Sequence, residues 1–249
     1  NNASLVLYRP HASALPPVQT PPRPRAGAMR VAAVGWVLPG QSGASETMPV
    51  WRAADLLAQR ASIAEFSVKG LLSAVKGYLD PAGAYTLGAA ALCRHHAPAP
   101  SGERCAVVSV SQYGASGSAY TFYQQLLDKG PRLASPLIFP HGYANTAGNL
   151  VAIEFGLAGP HLVLNTAPDL HEAWAWARAT LRWGQADEVL LLAAEAALPA
   201  ALPDGWTVLP GALCWRLTWD DTAEHDAVPP GKHAPGNRQG VVWAALNRE

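Results

Sequence analysis

The stretch VLNTAPDLHEAW, residues 163–174, runs an apolar β-rich segment into a helical pattern, the kind of junction at which a nucleophile is activated. A helix beginning there aims the positive end of its dipole, roughly half an elementary charge, at residues 166 to 168. A cysteine so placed would have a lowered pKa and act as a nucleophile. The chain puts Thr166, Ala167 and Pro168 there instead. What remains is capping chemistry. Thr166 with Asp169 three residues on forms one candidate N-cap pair, and Asp169 with Glu172 forms another one turn later. Pro168 suits a first helical turn because it has no N–H to leave unbonded.

A second stretch, YGASGS at 113–118, nearly matches the GxSxG elbow of serine hydrolases with Ser116 as nucleophile. That motif needs glycine two places after the serine, where Ser118 stands, so the stretch reads as a glycine-rich strand-to-helix turn. Neither GxGxxG nor GxxxxGK[ST] is present, which leaves no phosphate-binding signature and no expected cofactor. Cys93, Cys105 and Cys214 are odd in number and lack CxxC spacing, so they indicate neither a disulfide framework nor a zinc site. His95 and His96 are adjacent, and side chains one residue apart on a helix diverge by about 100°. No metal site is expected.

The bulk properties bound the setting for these residues. At 249 residues and 49% apolar content the chain buries a sizeable core, and 18 basic residues balance 18 acidic ones. Nothing in that balance points to nucleic acid or an anionic surface. The longest apolar run, VLLLAAEAALPAAL, is broken by Glu195 and Pro199, short of the about 20 residues a bilayer span requires. Residues 1–28, with PPVQTPPRPRAGA and no long apolar core, read as a disordered extension rather than a signal peptide. Residues 29–249 read as one domain, and a reducing cytoplasm fits the cysteine usage.

The elements that must position the junction follow from pattern and punctuation. MRVAAVGWVLPG (29–40) reads as a buried strand closed by Pro39-Gly40. Residues 50 to 60 and 67 to 79 carry helix-compatible spacing, and Asp80-Pro81 opens an alanine-rich buried helix. RCAVVSVSQYG (104–114) reads as a strand feeding a helix that Gly130 ends, and Pro131 to Pro140 as an extended segment. A further helix covers YANTAGNLVAIEF, HLVLNTA is a strand, and a helix runs from about Ala167 to Trp183. ADEVLLLAAEAA supplies another strand, and GALCWRLTW with GVVWAAL reads as a strand pair. Alternating strands and helices imply an α/β fold with a mainly parallel, mixed sheet covered on both faces.

From about residue 104 to 196 the sequence resembles the N-terminal half of the β-ketoacyl synthases. The resemblance is carried in order by GASGS after a strand, GPRLASPLIFP, YANTAGNLVAIEFGLAGP, LVLNTA and RWGQADEVLLLAAEAA. The family's GPRxxSPxxxP, NxxxGxxxIxxGxxGP and GxADxxLxGGxE blocks lie behind these matches. The resemblance implies a thiolase-like fold and places the family's active cysteine at Ala167, or at Pro168 if the register slips by one. It also implies that the family's histidine-bearing C-terminal half lies outside this sequence. Such a chain resembles the chain length factors that pair with active ketosynthases, in particular the short ones of aryl polyene and related fatty-acid-type pathways. The implied partners are a full-length ketosynthase in a heterodimer and, through that complex, an acyl carrier protein. In the family the segment corresponding to 136–145 reaches the neighbouring subunit's pocket. By that resemblance Leu137, Ile138, Phe139, His141, Tyr143 and Asn145 face the partner or its acyl tunnel. Two other readings stay open: a residual decarboxylase or acyltransferase acting on carrier-protein thioesters through Asp169, Ser116 or a histidine, and a hydrolase built on Ser116.

Overall fold

A computed structural model describes residues 23–72, 77–97, 102–165, 169–197, 207–231 and 238–246. The elements in chain order are β1 (Ala28–Leu38), β2 (Gln41–Ser45), α1 (Ala53–Ala58), α2 (Pro81–His96), β3 (Cys105–Ser111), α3 (Ser116–Lys129) and α4 (Thr146–Phe155). They continue with β4 (His161–Asn165), α5 (His171–Arg182), β5 (Glu188–Glu195), β6 (Thr207–Val208), β7 (Gly211–Asp220), β8 (Arg238–Gln239) and α6 (Val241–Leu246).

Six strands form one mixed sheet in the order β2-β1-β7-β5-β3-β4, and β6 with β8 makes a small parallel pair. β4, β3 and β5 are parallel neighbours, whereas β7 runs antiparallel to both β5 and β1. Strand β5 is buried along its whole length and sends alternate side chains to opposite faces. Leu191 joins α5, α6, Trp174, Trp215 and Trp243 on one face, while Leu190 and Leu192 join α2, α4 and Val107 on the other. Two cores on one sheet follow from the two-residue period of a strand buried on both sides. The faces are packed by different means. The α5 face is filled with large rings, Trp174 and Trp215 meeting edge to face at 6.4 Å. The α2 face depends on small residues, because a Cβ on Gly35 would lie 2.2 Å from the Ala89 carbonyl oxygen of α2.

Local chemistry sets the helix limits. Asp80 caps α2 by accepting the Ala82 N–H at 2.9 Å, and Pro81 takes the first helical position. Gly130 ends α3 at φ +77°, and Gly156 ends α4 in the left-handed region at φ +62°.

Five sequence expectations are corrected. GVVWAAL does not pair as a strand: Val241 to Leu246 form the buried helix α6. A continuous apolar run carries no period that separates a buried helix from a buried strand. Pro131 to Pro140 is not extended but folds as successive turns, with Leu133 N–H bonding the Gly130 carbonyl and Ile138 N–H the Ser135 carbonyl. Pro131 and Pro136 hold the second position of those turns, which their fixed φ favours. The spacing at 67–79 makes no helix among its described residues, 67–72 and 77–79, and a 3-10 helix over Arg60–Glu65 precedes it. Helix α5 begins at His171, later than the expected Ala167, which lies with Thr166 and Pro168 outside the described residues. Of the expected extension, residues 23–28 belong to the domain: Arg25 N–H bonds the Arg182 carbonyl, its guanidinium pairs with Asp221, and β1 opens at Ala28.

Candidate functional site

The C-terminal ends of β3, β4 and β5 meet α2, α3 and α4 around a small pocket. Asp80, Ser109, Ser111, Thr146 and Asn165 supply its polar atoms, and Gly83, Ala115, Ala144, Ala147 and Ala194 much of the rest of its wall. Its volume is about 20 Å³. That is room for a single water, not for an acyl chain. Ser109 is buried, and its hydroxyl has no hydrogen-bond partner among the described residues. A Cβ on Gly148 of α4 would come within 2.8 Å of that hydroxyl and 2.7 Å of His161 Nε2. Glycine is therefore required where α4 crosses β3 and β4. Burial lowers the His161 pKa below its ordinary value.

Asp80 does double duty on the opposite wall. One oxygen caps α2, and the other accepts the Ser118 N–H at 3.2 Å and the Ser118 hydroxyl at 2.6 Å. Tyr78 Oη lies 2.8 Å from the same Ser118 hydroxyl, and its ring meets His141 edge on at 5.3 Å. These bonds tie the start of α2 to the start of α3. Ser118, the residue that spoils the hydrolase elbow, is thus a buried structural link. Ser116 opens α3, and among the described residues no carboxylate or histidine hydrogen-bonds its hydroxyl.

At the junction after β4, Asp169 accepts the His171 N–H at 3.0 Å, with its carboxylate 3.8 Å from His171 Nδ1. This is a local turn at the helix start, with Leu170 at the N-cap position. The Thr166 cap and the nucleophile positions Ala167 and Pro168 lie outside the described residues.

The segment from Leu137 to Asn145 packs its rings on α3 and leaves much of its apolar surface in solvent. Leu137 is 71% exposed, Phe139 48% and Tyr143 50%, and across α4 Ile153 is 76% exposed. Phe139 stacks between Phe122 of α3 at 5.0 Å and Tyr143 at 5.3 Å. Ile138 and His141 are half-buried, His141 with Nδ1 shielded and unpartnered among the described residues, while Asn145 stands exposed at the start of α4. Of these six, only Tyr143 lines the pocket. The others form its outer rim and the surface beyond.

Two further features carry less chemistry. A wider cleft of about 580 Å³ opens on the α5 face between β1, Met48, Trp174, Trp215 and Ala227–Gly231, with Arg30 and Glu46 among its lining. The three thiols are free and buried on the α2 face. Cys93 and Cys214 hydrogen-bond one another, which lowers Cys93, whereas burial raises Cys105 and Cys214. Among the described residues no group of three or more His, Cys, Asp or Glu is arranged to hold a metal ion. No helix among them is long and apolar enough to cross a membrane.

Comparison with known proteins places this architecture. No family model matches the chain. Over 76 residues, 30% of this chain and 16% of the relative, it is 36% identical to the chloroplastic 3-oxoacyl-[acyl-carrier-protein] synthase I of Arabidopsis thaliana. Among solved structures it superposes on the ishigamide ketosynthase/chain length factor with a TM-score of 0.55 and 17% identity, over 80% of this chain and 64% of that one. A complex of the ketosynthase ApeO with its chain length factor ApeC from Xenorhabdus doucetiae gives 0.52 and 15% identity, over 78% of this chain and 79% of its counterpart. The fold is the thiolase-like fold of the ketosynthases. This chain spans under two thirds of the first of those solved chains and about a sixth of the curated synthase.

In that fold the sequence signals divide. Gly148, one place before the first glycine position of the NxxxGxxxIxxGxxGP block, marks a close helix–strand crossing, and the block's Gly156 a helix end. Sequence reasoning missed the Asp80–Ser118 link and the environment of Glu195, which is fully buried at the end of β5. The signal for both was available: a carboxylate set in an apolar run needs several donors if it is to be buried.

Proposed function

We propose that this chain is a non-catalytic, ketosynthase-like subunit of chain length factor type. It pairs with a full-length β-ketoacyl synthase in fatty-acid or polyketide chain elongation of the aryl polyene kind, in the cytoplasm, and meets the acyl carrier protein through that complex. The observation that carries the proposal is the open edge of the sheet. Among the described residues β4 pairs with β3 alone, and Leu137, Phe139, Tyr143 and Ile153 are exposed. An unpaired strand edge and exposed large apolar side chains are both partner-binding features. The reading is also supported by Ala167 or Pro168 standing where the resemblance places a cysteine, and by the Ser116 hydroxyl having no carboxylate or histidine bonded to it among the described residues.

Within this proposal the ring stack Phe122–Phe139–Tyr143 is the part of the chain that meets the growing acyl group, with His141 behind it. Alanine at Phe139, His141 or Tyr143 shifts the product distribution toward longer chains. The deciding experiment is co-expression with a cysteine-bearing ketosynthase from the same source. The expected result is a stable 1:1 complex that condenses malonyl carrier protein, with no condensation by this chain alone. A monomer that binds no ketosynthase and leaves product lengths unchanged overturns the proposal.

A further inference from the structure

Glu195 ends the central strand β5 with no solvent exposure, and everything around its carboxylate donates. One oxygen accepts the Gln112 N–H at 2.6 Å and the Val241 N–H at 3.1 Å. The other accepts the Ser111 hydroxyl at 3.1 Å and the Tyr113 N–H at 3.3 Å. Two outer bonds extend the network: Gly240 N–H to the Gln112 side-chain oxygen at 2.7 Å, and Gly114 N–H to the Ser111 hydroxyl oxygen at 2.7 Å. A single side chain thus joins the turn after β3 to the start of α6, segments 128 residues apart in sequence. Ser111 and Gly114 line the pocket, so this turn is part of its wall.

We infer that Glu195 is a positioning residue for the pocket: ionised, it ties the turn Ser111–Gly114 to α6 through both oxygens, and on taking up a proton it lets go of the Tyr113 N–H while Gln112 and Val241 stay tied. Four donors match a carboxylate, which only accepts, and do not match a carboxylic acid, which must also donate. The asymmetry comes from the two oxygens. The hydroxyl of Ser111 is the one group in the set that can turn round and accept. The proton therefore sits on the oxygen facing Ser111 and Tyr113: the Ser111 bond reverses, and the bond accepted from the Tyr113 N–H is lost. The oxygen facing Gln112 and Val241 keeps both of its own. Burial pushes the Glu195 carboxyl up to about 7 against the pull of those four bonds, which puts both forms within reach near neutral pH.

Other titratable groups are few around it. Tyr113 faces it from the turn, its phenol raised by burial and then by the Glu195 charge. Gly211 stands opposite on β7, and α6, Val241–Leu246, contributes no titratable side chain. Asp80 lies on the far wall of the pocket, held by Ala82 and Ser118. The inference rests on this bonding pattern and stands apart from the proposed function.

Hydrogen exchange read by mass spectrometry on the full chain, expressed as protection factors, tests it. Between about pH 8.5 and 5.5 the peptide spanning 111–118 is expected to lose protection about tenfold, the equivalent of one charge-assisted bond. The peptide over 241–246 should hold its protection. Glu195→Gln, whose amide can donate to Ser111, should show the low-pH protection at every pH. Unchanged wild-type protection at 111–118, or a Glu195→Gln variant that keeps the wild-type pH dependence, overturns the inference. The carbon-13 shift of the Glu195 carboxyl in the unmutated protein is an independent arm. A titration midpoint below about 5.5 is incompatible with it.

Discussion

The sheet has two edges, and they are finished differently. At one end β2 closes a hairpin on β1 in continuous register from Val34–Ser45 to Leu38–Gln41, and its own residues, Gln41, Ser42, Gly43, Ala44 and Ser45, are small or polar. Trp36 and Trp51, edge to face at 5.4 Å, pack beside it. At the other end β4, with Leu162, Val163 and Leu164 half-buried, has β3 as its one strand neighbour among the described residues. Leu137, Phe139 and Tyr143 of the 137–145 segment and Ile153 of α4 are large, apolar and exposed. Short polar edge strands discourage pairing, and apolar edges backed by exposed rings invite it. On the proposed function, the difference leaves one end of the molecule to solvent and gives the other to a partner.

The largest effect that distinguishes the edges is on association. Replacing Leu137 and Phe139 together by glutamate is expected to weaken binding to the co-expressed ketosynthase about 100-fold or more, in the range of interface hot spots. Because both side chains are already solvent-exposed, the melting temperature of the isolated chain should hardly move. Retained binding, measured by calorimetry or co-purification, would remove the β4 end as the interface.

The second effect concerns charge at the ends of the strands. Glu195 has a folded-state pKa raised from 4.5 to about 7 by burial. The folded state therefore binds more protons than the unfolded chain between those values, and stability falls as pH rises across that window. The size is on the order of 3 kcal/mol, at 1.36 kcal/mol per pKa unit. Denaturant unfolding of the wild type between about pH 4.5 and 7 should show that fall, and Glu195→Gln should flatten it. Asp187 and Asp226, held low by Arg104 and by Met29 N–H with Arg178, act in the opposite direction and only in more acidic solution. A stability curve that rises through the same window in both proteins would show that the buried carboxyl is ionised throughout.

How much of this was legible depends on where the deciding interactions lie along the chain. β1, β3, β4, β5 and β7 were legible because each is a short apolar run bounded by glycine, proline or polar residues. α2 was legible because Asp80-Pro81 announces its start and the cap is local. α6 was not, since Val241 to Leu246 are apolar on all sides and what fixes their conformation is Glu195, 46 residues earlier. β2 escaped because QSGAS has no β pattern of its own and is a strand only through its register with β1. The rim residues Leu137 to Asn145 came from family resemblance, not from periodicity. Their exposure could not be known before the turns of 130–141 were seen, because that exposure is set by how three prolines fold the segment.

A smaller effect tests whether β4 is seated as described. Gly148→Val places methyl groups where only about 2.8 Å separates a Cβ from Ser109 Oγ and 2.7 Å from His161 Nε2. Overpacking of this kind costs about 1–3 kcal/mol. The loss should appear first as faster exchange of β4 amides, because β4 is anchored on one side while β3 is paired on both. If β5 and β7 lose protection equally, the sheet unfolds as one unit and β4 is no more separable than the centre.

The smallest effect belongs to the opposite edge, and its smallness is the point. Ser42→Lys on β2 alters an exposed position whose side chain has no partner among the described residues, paired with Val37 across the hairpin. Surface changes of this sort stay within about ±0.5 kcal/mol. Lysine on an edge strand also strengthens the bar to pairing. If β2 is the solvent edge, the variant should match the wild type in ketosynthase binding and in melting temperature. If binding falls with stability intact, β2 contributes to the interface. The contrast between the two ends would then have to be redrawn around a partner that grips both.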